Sequence, residues 1–155
     1  MGVEIERKHL ILNDDWRKSA DAGVFIQQGY LAESSASSVR VRIEGAKANI
    51  NIKSAGINIE RSEYEYSIPV ADAKEMMKGL LCKPPIEKTR YHVHYAKKLW
   101  EIDVFSGDNA GLVVAEIELD SLDEKYEHPA WLGKEVSNEA RYYNMNLALN
   151  PYKDW

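Results

Sequence analysis

The feature that most constrains this chain is an alternation of charged and apolar residues that begins almost at its first residue. Within residues 3–8, Glu4, Glu6 and Lys8 alternate with Val3, Ile5 and Arg7. Successive side chains of a β-strand point to opposite faces, so the first three share one face of a predicted strand. Two neighbouring carboxylates repel each other unless a cation compensates them, and a divalent metal ion is one cation that does so.

The same alternation recurs along the chain, and each predicted strand carries mainly one sign of charge. The further pairs and single residues are Arg40 with Arg42, Lys53, Glu63 with Glu65, Lys88 with Arg90, Glu101 with Asp103, and Glu116 with Glu118. A solvated strand face also alternates, but a solubilising face usually mixes both signs with Ser and Thr. Segregation by sign therefore favours an interior face with a binding role over a solvated one.

The opposite faces of these strands are rich in Ile, Val, Tyr and Trp and need cover, which we expect helices to supply. Charge on the inside and helices on the outside indicate a closed barrel with a polar lumen. The predicted strands lie near residues 3–11, 24–31, 39–44, 48–54, 59–68, 86–95, 98–105 and 112–119.

Two helices are predicted outside this sheet, and a short helical turn near residues 14–17. The first helix spans about residues 73–81, with Asp72 as N-cap and an apolar face of Met76, Met77, Leu80 and Leu81. The second begins after Ser137 or Asn138 and ends before Pro151.

The ordered set of motifs resembles the CYTH domain family, also called the triphosphate tunnel metalloenzymes, and within it the short bacterial-type inorganic triphosphatases. Residues 4–8 match the Glu-x-Glu-x-Lys signature, and the other motifs follow in the family's order from residues 28–31 to residues 133–137. The resemblance covers essentially the whole chain. It implies an α+β fold in which an eight-stranded antiparallel β-barrel, the triphosphate tunnel, carries helices on its outside, and we expect one domain over residues 1–155.

The resemblance also implies a metal-dependent hydrolase that cleaves inorganic triphosphate to pyrophosphate and phosphate. We favour this activity because little sequence remains after the barrel to recognise a base, a thiazole or an RNA end. Class IV adenylyl cyclase, thiamine triphosphatase and a non-catalytic polyphosphate- or nucleotide-binding module are the alternatives. Both Glu-x-Glu pairs are retained, which favours catalysis over binding alone.

Candidate site residues follow from the charged faces and the resemblance together. The phosphate-binding candidates are Lys8, Arg40, Arg42, Lys53, Lys88, Arg90 and Lys134. The metal-binding candidates, for two Mg²⁺ or Mn²⁺ ions, are Glu4, Glu6, Asp103, Glu116 and Glu118. The catalytic candidates are Lys8, Tyr30 and Glu6.

Several roles stay open at this point. Lys8 is either a base with a lowered pKa or a phosphate contact, and Tyr30 is either its partner or a packed core residue. Glu63 and Glu65 are expected to orient neighbouring groups rather than to bind metal directly. His92 and His94 continue the Lys88 and Arg90 face; a zinc site is disfavoured for want of a third ligand, so rim positions are expected.

Composition excludes some classes of partner. A formal net charge of −5 argues against a general nucleic-acid-binding protein. A single cysteine, Cys82, and the absence of a recognisable targeting or membrane segment predict a cytoplasmic protein. The expected partner is a small-molecule triphosphate. A homodimer is left open, because outward aromatic residues such as Trp100, Tyr152 and Trp155 would suit either helix contacts or a dimer seam.

Overall fold

The computed structural model describes residues 2–155, in which nine strands form one antiparallel sheet that closes on itself. The strands are β1 Val3–Ile11, β2 Val24–Glu33, β3 Ser37–Glu44, β4 Lys47–Ser54, β5 Glu60–Ile68, β6 Ile86–Tyr95, β7 Lys98–Phe105, β8 Val113–Glu118 and β9 Leu132–Glu135. The α-helices are α1 Val70–Gly79 and α2 Asn144–Leu147, and 3₁₀ turns occupy Asp15–Ser19, Gly107–Asn109, Ala140–Tyr142 and Tyr152–Asp154.

Eight of the strands form the barrel, in the order β5-β4-β3-β2-β6-β7-β8-β1, and β1 returns to pair with β5. The first strand makes the closure by changing partners along its length. Residues 3–5 pair with β5 and residues 6–10 pair with β8. The ninth strand, β9, was not predicted and attaches to the end of β1. The predicted eight-stranded antiparallel barrel is therefore confirmed.

Apolar residues on the outer face of the barrel are covered in three places. Trp16, Trp100 and Trp131 belong to one buried cluster beside β6, β7 and β8. A second cluster holds Leu147 of α2 against β8, and α1 covers β3 through a third. Trp100 was one of the outward aromatic residues considered for a dimer seam. It is fully buried in this packing, so it is a core residue and not a surface contact.

Helix α1 begins three residues earlier than predicted and ends two residues earlier. Pro69, not Asp72, is the N-cap residue, and the amide of Ala73 donates to the carbonyl of Pro69 to start the helix. Asp72 lies in the first turn, where its charge favours the helix dipole. Because the helix stops at Gly79, Leu80 is 63% exposed, whereas Met76 and Met77 pack on the barrel as predicted.

The predicted C-terminal helix is interrupted. A 3₁₀ turn and the four-residue α2 are separated by Tyr143, whose backbone is extended (φ −80°, ψ 138°). The hydroxyl of Tyr143 donates to the carbonyl oxygen of Ser137 at 2.7 Å, and its ring lies against Lys8. This turns the side chain into the barrel instead of leaving it on a helix surface. None of the helices in residues 2–155 is long and apolar enough to span a membrane.

Candidate functional site

The inward faces of the strands enclose one charged cavity along the barrel, which we call the tunnel. Most of the charged residues singled out from the sequence lie on its wall, contributed by β1, β3, β4, β5, β6, β7 and β8. The lining residues are Glu4, Glu6, Lys8, Tyr30, Ser38, Arg40, Arg42, Asn51, Lys53, Arg61, Glu63, Glu65, Arg90, Glu101, Glu116, Glu118, Tyr143, Asn144 and Met145.

Strand β3 supplies a basic wall whose guanidinium groups are not neutralised. Arg40 and Arg42 are 6% and 9% exposed, and neither has a carboxylate within ion-pair distance among residues 2–155. Arg42 donates one hydrogen bond, from Nη2 to Gln28 Oε1 at 3.2 Å, and the Nε atoms of both arginines have no partner in the described chain. Burial, with the nearby charges of Arg40 and Arg90, lowers the pKa of Arg42 to about 10. Buried cations without partners are costly, so this wall suits an anionic ligand.

Strands β1 and β8 supply an acidic wall. Glu6 lies directly opposite Glu118 in the strand register. Burial and the charge of Glu116 raise the pKa of Glu6, although Lys8 acts in the opposite direction. Burial and the charges of Glu4 and Glu6 raise the pKa of Glu118. Burial and neighbouring negative charge therefore both disfavour the ionised forms of Glu6 and Glu118, and a bound cation would relieve the second effect.

Lys8 lies between two of these carboxylates. Its Nζ donates to Glu6 Oε1 and to Glu116 Oε1, both at 3.0 Å. Burial alone would lower the pKa of Lys8, but the charges of Glu116 and Glu6 outweigh it and raise the pKa above its ordinary value. The lowered pKa considered for a base is therefore not found, which favours the role of a protonated phosphate contact. The aromatic ring beside Nζ, at 5.0 Å, belongs to Tyr143 and not to Tyr30.

Tyr30 nevertheless lines the tunnel from β2. It is 6% exposed and pairs in register with Arg40, so its hydroxyl belongs to the basic half of the cavity. No hydrogen bond of that hydroxyl is present within residues 2–155. A packed core tyrosine and a ligand contact are thus both compatible with this position, and no direct contact between Tyr30 and Lys8 is present within residues 2–155.

A second lysine joins the two halves of the tunnel. Lys53 Nζ lies 2.8 Å from Glu4 Oε2 and 3.2 Å from Glu63 Oε2. Burial alone would raise the pKa of Glu63, but the charge of Lys53 lowers it. Glu63 thus lies within ion-pair distance of Lys53, and Glu65 lines the same tunnel.

Asp103 lies behind the tunnel wall. It is fully buried, and its two oxygens accept hydrogen bonds from Arg90 Nε (2.7 Å), Arg90 Nη2 (2.8 Å) and Lys88 Nζ (2.7 Å). The metal-ligand role predicted for Asp103 would require these bonds to open. Lys88 is also fully buried and does not reach the lining, because Asp103 holds it in the wall. Arg90 does reach the lining.

One candidate lies away from the tunnel. Lys134, at the end of β9, has a side chain that is 69% exposed and pairs with Glu139. It is not among the lining residues, because β9 attaches outside the closed ring of strands. Its predicted phosphate contact is not supported by this geometry.

Several lining residues were not predicted. Period-two alternation could have identified Ser38, Asn51 and Arg61, since each lies two residues from a charged candidate on the same strand. Glu101 was noted only as a partner of Asp103 on one strand face. Tyr143 and Asn144 belong to the closing motif of the resemblance, but with Met145 they were expected in a helix outside the barrel, whereas all three line the tunnel.

The acidic wall has the donor chemistry of a hard divalent cation but not a closed ligand sphere. Within residues 2–155, no three Asp, Glu, His or Cys side chains are grouped tightly enough to enclose an ion. Mg²⁺ commonly binds through one or two carboxylates, with water and substrate phosphate oxygens completing its octahedron. The carboxylates of Glu4, Glu6, Glu116 and Glu118 line the tunnel and offer oxygen ligands for that mode of binding.

Comparison with known proteins gives a consistent result. The sequence matches the CYTH domain over residues 2–147. An inorganic triphosphatase of Acetivibrio thermocellus is 44% identical over 155 residues, covering 100% of this chain and 99% of the relative. An inorganic triphosphatase of Nitrosomonas europaea is 36% identical, covering 96% and 98% of the two chains. The crystal structure of an inorganic triphosphatase superposes with a TM-score of 0.68 at 33% identity, covering 96% of each chain.

Proposed function

The chain belongs to the CYTH domain family, and on that premise we propose that it is a metal-dependent enzyme that hydrolyses inorganic triphosphate to pyrophosphate and phosphate inside the tunnel. One observation carries the proposal. Within residues 2–155, Arg40 and Arg42 are buried on one wall without carboxylate partners. The opposite wall holds Glu6 and Glu118, whose pKa values are raised by burial and by neighbouring carboxylates. The first wall needs an anion and the second needs a cation, and a metal triphosphate supplies both.

The number and placement of the cations suit a polyphosphate chain. A linear triphosphate carries about four to five negative charges near neutral pH, and charge-assisted hydrogen bonds from Arg and Lys are the strong contacts for such groups. Arg40 and Arg42 offer unoccupied donors, and Lys8 and Lys53 lie on neighbouring parts of the wall. Because these groups come from different strands, they can contact a threaded chain from several directions.

Glu4, Glu6, Glu116 and Glu118 are the residues that would hold the metal, which we propose to be Mg²⁺ or Mn²⁺, with two ions per site. A bound divalent cation would supply charge neutralisation at the phosphoryl oxygens and a more acidic attacking water. The protein groups then bind and orient the substrate. The basic wall fixes the phosphate chain, and the protonated Lys8, between Glu6 and Glu116, offers a further donor from the acidic wall.

We propose positioning roles for the ion pairs behind these groups. Asp103 holds Arg90 by two hydrogen bonds, which fixes the guanidinium plane at the lining. Glu63 makes an ion pair with Lys53 at 3.2 Å and acts on it through charge rather than through a hydrogen bond. A phosphate-binding cation that is oriented before the substrate arrives loses less entropy when it binds.

The experiment is phosphate release by the purified protein from triphosphate, ATP and thiamine triphosphate, each with Mg²⁺, with Mn²⁺ and with a chelator. We expect fast metal-dependent release from triphosphate, with one pyrophosphate formed for each phosphate. Cyclic AMP and pyrophosphate from ATP would replace the proposal with a cyclase, and phosphate release mainly from thiamine triphosphate would replace it with a thiamine triphosphatase. Tight triphosphate binding without turnover of any substrate would indicate a binding module.

A further inference from the structure

His92, on β6, is held by an aspartate from outside the barrel. Asp21, in the segment between the first 3₁₀ turn and β2, accepts hydrogen bonds from the amides of His92 and Gly23, both at 3.0 Å to Oδ1. Its other oxygen, Oδ2, lies 3.0 Å from His92 Nδ1. Asp21 therefore holds both the backbone and the ring of His92, and the proton on Nδ1 is directed to this carboxylate.

The other nitrogen of this ring faces a tunnel carboxylate. His92 Nε2 lies 3.6 Å from Glu101 Oε2, which is within ion-pair distance but longer than a direct hydrogen bond. Both nitrogens of this ring face carboxylates, and only the imidazolium form, with a proton on each nitrogen, can donate to both. His92 and Glu101 are directly opposite in the register of β6 and β7. An aspartate, a histidine and a glutamate thus form a line from the protein surface to the tunnel.

Glu101 is anchored by one oxygen only. Oε2 accepts a hydrogen bond from Arg90 Nη1 at 2.9 Å and faces His92, whereas Oε1 makes no hydrogen bond within residues 2–155. Glu101 lines the tunnel beside Glu116. A carboxylate held at one oxygen and free at the other has a fixed direction and an available acceptor, as a group that orients a water molecule requires.

We propose that Glu101 is the carboxylate that orients and deprotonates the attacking water, and that His92 and Asp21 are positioning residues for it. This inference rests on the proposed function. As the water oxygen bonds to a terminal phosphorus of triphosphate, its proton passes to Glu101 Oε1. The bond from that phosphorus to the bridging oxygen breaks, and its electron pair leaves on pyrophosphate. Glu101 then returns the proton to solvent.

Two substitutions of His92 separate this role from simple packing at the rim. In His92→Asn the amide nitrogen takes the place of Nδ1, which keeps the contact with Asp21 but leaves nothing toward Glu101. In His92→Gln the amide nitrogen takes the place of Nε2, which keeps a donor toward Glu101. His94→Asn is the matched control, because His94 lies two residues further along β6 and is exposed. Glu101→Gln tests the carboxylate itself.

Steady-state kinetics on triphosphate with Mg²⁺, with thermal unfolding of each variant to establish folding, are the measurements. We expect kcat to fall about 100-fold in Glu101→Gln and about 10-fold in His92→Asn, with KM changed less than about twofold. His92→Gln should retain at least about a third of the wild-type kcat, and His94→Asn should match the wild type.

Each other result overturns the inference. Equal kcat values in His92→Asn and His92→Gln, or a change in KM alone, would show that His92 does not position Glu101. A fully active Glu101→Gln would remove the role of the carboxylate while leaving the proposed function intact. Absence of turnover in the wild-type protein would overturn the proposed function, and this inference with it.

Discussion

Arg42 shows at a single residue how binding and stability oppose each other. Its guanidinium is buried and, in the described chain from residue 2 onward, has no carboxylate partner, so its charge is poorly compensated. We expect Arg42→Met to raise the melting temperature of the ligand-free protein, because replacing a buried charge by an apolar side chain often contributes about 1 kcal/mol or more. The same variant should bind triphosphate about 10- to 150-fold more weakly, because one charge-assisted contact contributes about 1.5–3 kcal/mol.

Thermal unfolding and calorimetric titration with triphosphate in chelator measure the two effects of Arg42→Met. Lys47→Met is the control, because Lys47 is an exposed cation near the β3–β4 turn. A variant that lost stability and kept its affinity would contradict the assignment of Arg42 to an anion site.

Glu118, a carboxylate of the acidic wall, gives a second test at a single residue. Burial and the neighbouring Glu4 and Glu6 raise its pKa, so the folded state holds its proton more tightly than the unfolded chain does. At neutral pH the ionised group therefore destabilises the fold, and the penalty disappears as pH falls below the raised pKa. We expect the metal-free Glu118→Gln variant to melt about 1–2 °C higher than the metal-free wild type at pH 7, since solvent screening limits the effect to about half a kcal/mol. With metal added, we expect the same variant to have lost metal-dependent turnover.

Melting curves of metal-free Glu118→Gln and wild type between pH 7.5 and pH 4 test this sign. The two curves should converge toward the acidic end, where Glu118 is protonated in the wild type as well. A constant gap, or normal turnover in the variant with Mg²⁺, would remove Glu118 from the acidic wall's function.

The hairpin between β6 and β7 carries strain at the level of one element. Its two connecting residues, Ala96 and Lys97, both have positive φ, at 48° and 63°. Two-residue hairpin turns require this conformation, but Asn followed by Gly adopts it more readily than Ala followed by Lys. We expect Ala96→Asn combined with Lys97→Gly to stabilise the protein by about 1 kcal/mol, and so to raise its melting temperature by about 2–4 °C, without a change in kcat. Chemical denaturation measures the change in the free energy of unfolding. A loss of stability in the double variant would show that other contacts hold the turn.

Ligand binding should act on the barrel as a whole. The strands close through only three register pairs between β1 and β5, while the tunnel ligand contacts walls built from most of the strands. A ligand that binds only the folded protein adds about 2.7 kcal/mol at a concentration of 100 times Kd, which corresponds to a rise of about 5–10 °C in melting temperature. We expect this rise with triphosphate in chelator, and a smaller one at high salt, where exposed charges are screened. No shift with wild-type protein would contradict a preformed anion site.

The strands were predictable because each carries its own evidence. The alternation in residues 3–8 and 39–44 is visible without knowing which strand pairs with which, and it identified the inward faces of β1 and β3 correctly. The helix boundaries were less predictable, because the start of α1 depends on Pro69 and on the barrel surface beneath it. The break at Tyr143 depends on a contact with Lys8, which is more than 130 residues away in the sequence.

The class of fold, the sign of charge on each strand face and the resemblance that indicated a triphosphatase were predictable, because they depend on residues close together in the chain. Which of those charges are available to a ligand depends on the folded arrangement of the strands. The closed barrel places Arg40 and Arg42 in the tunnel without a carboxylate partner in residues 2–155, holds Asp103 behind the wall with Arg90 and Lys88, and leaves Lys134 outside. The physical reason is that a charge is neutralised by groups close in space, and the closing of the barrel brings those groups from other strands.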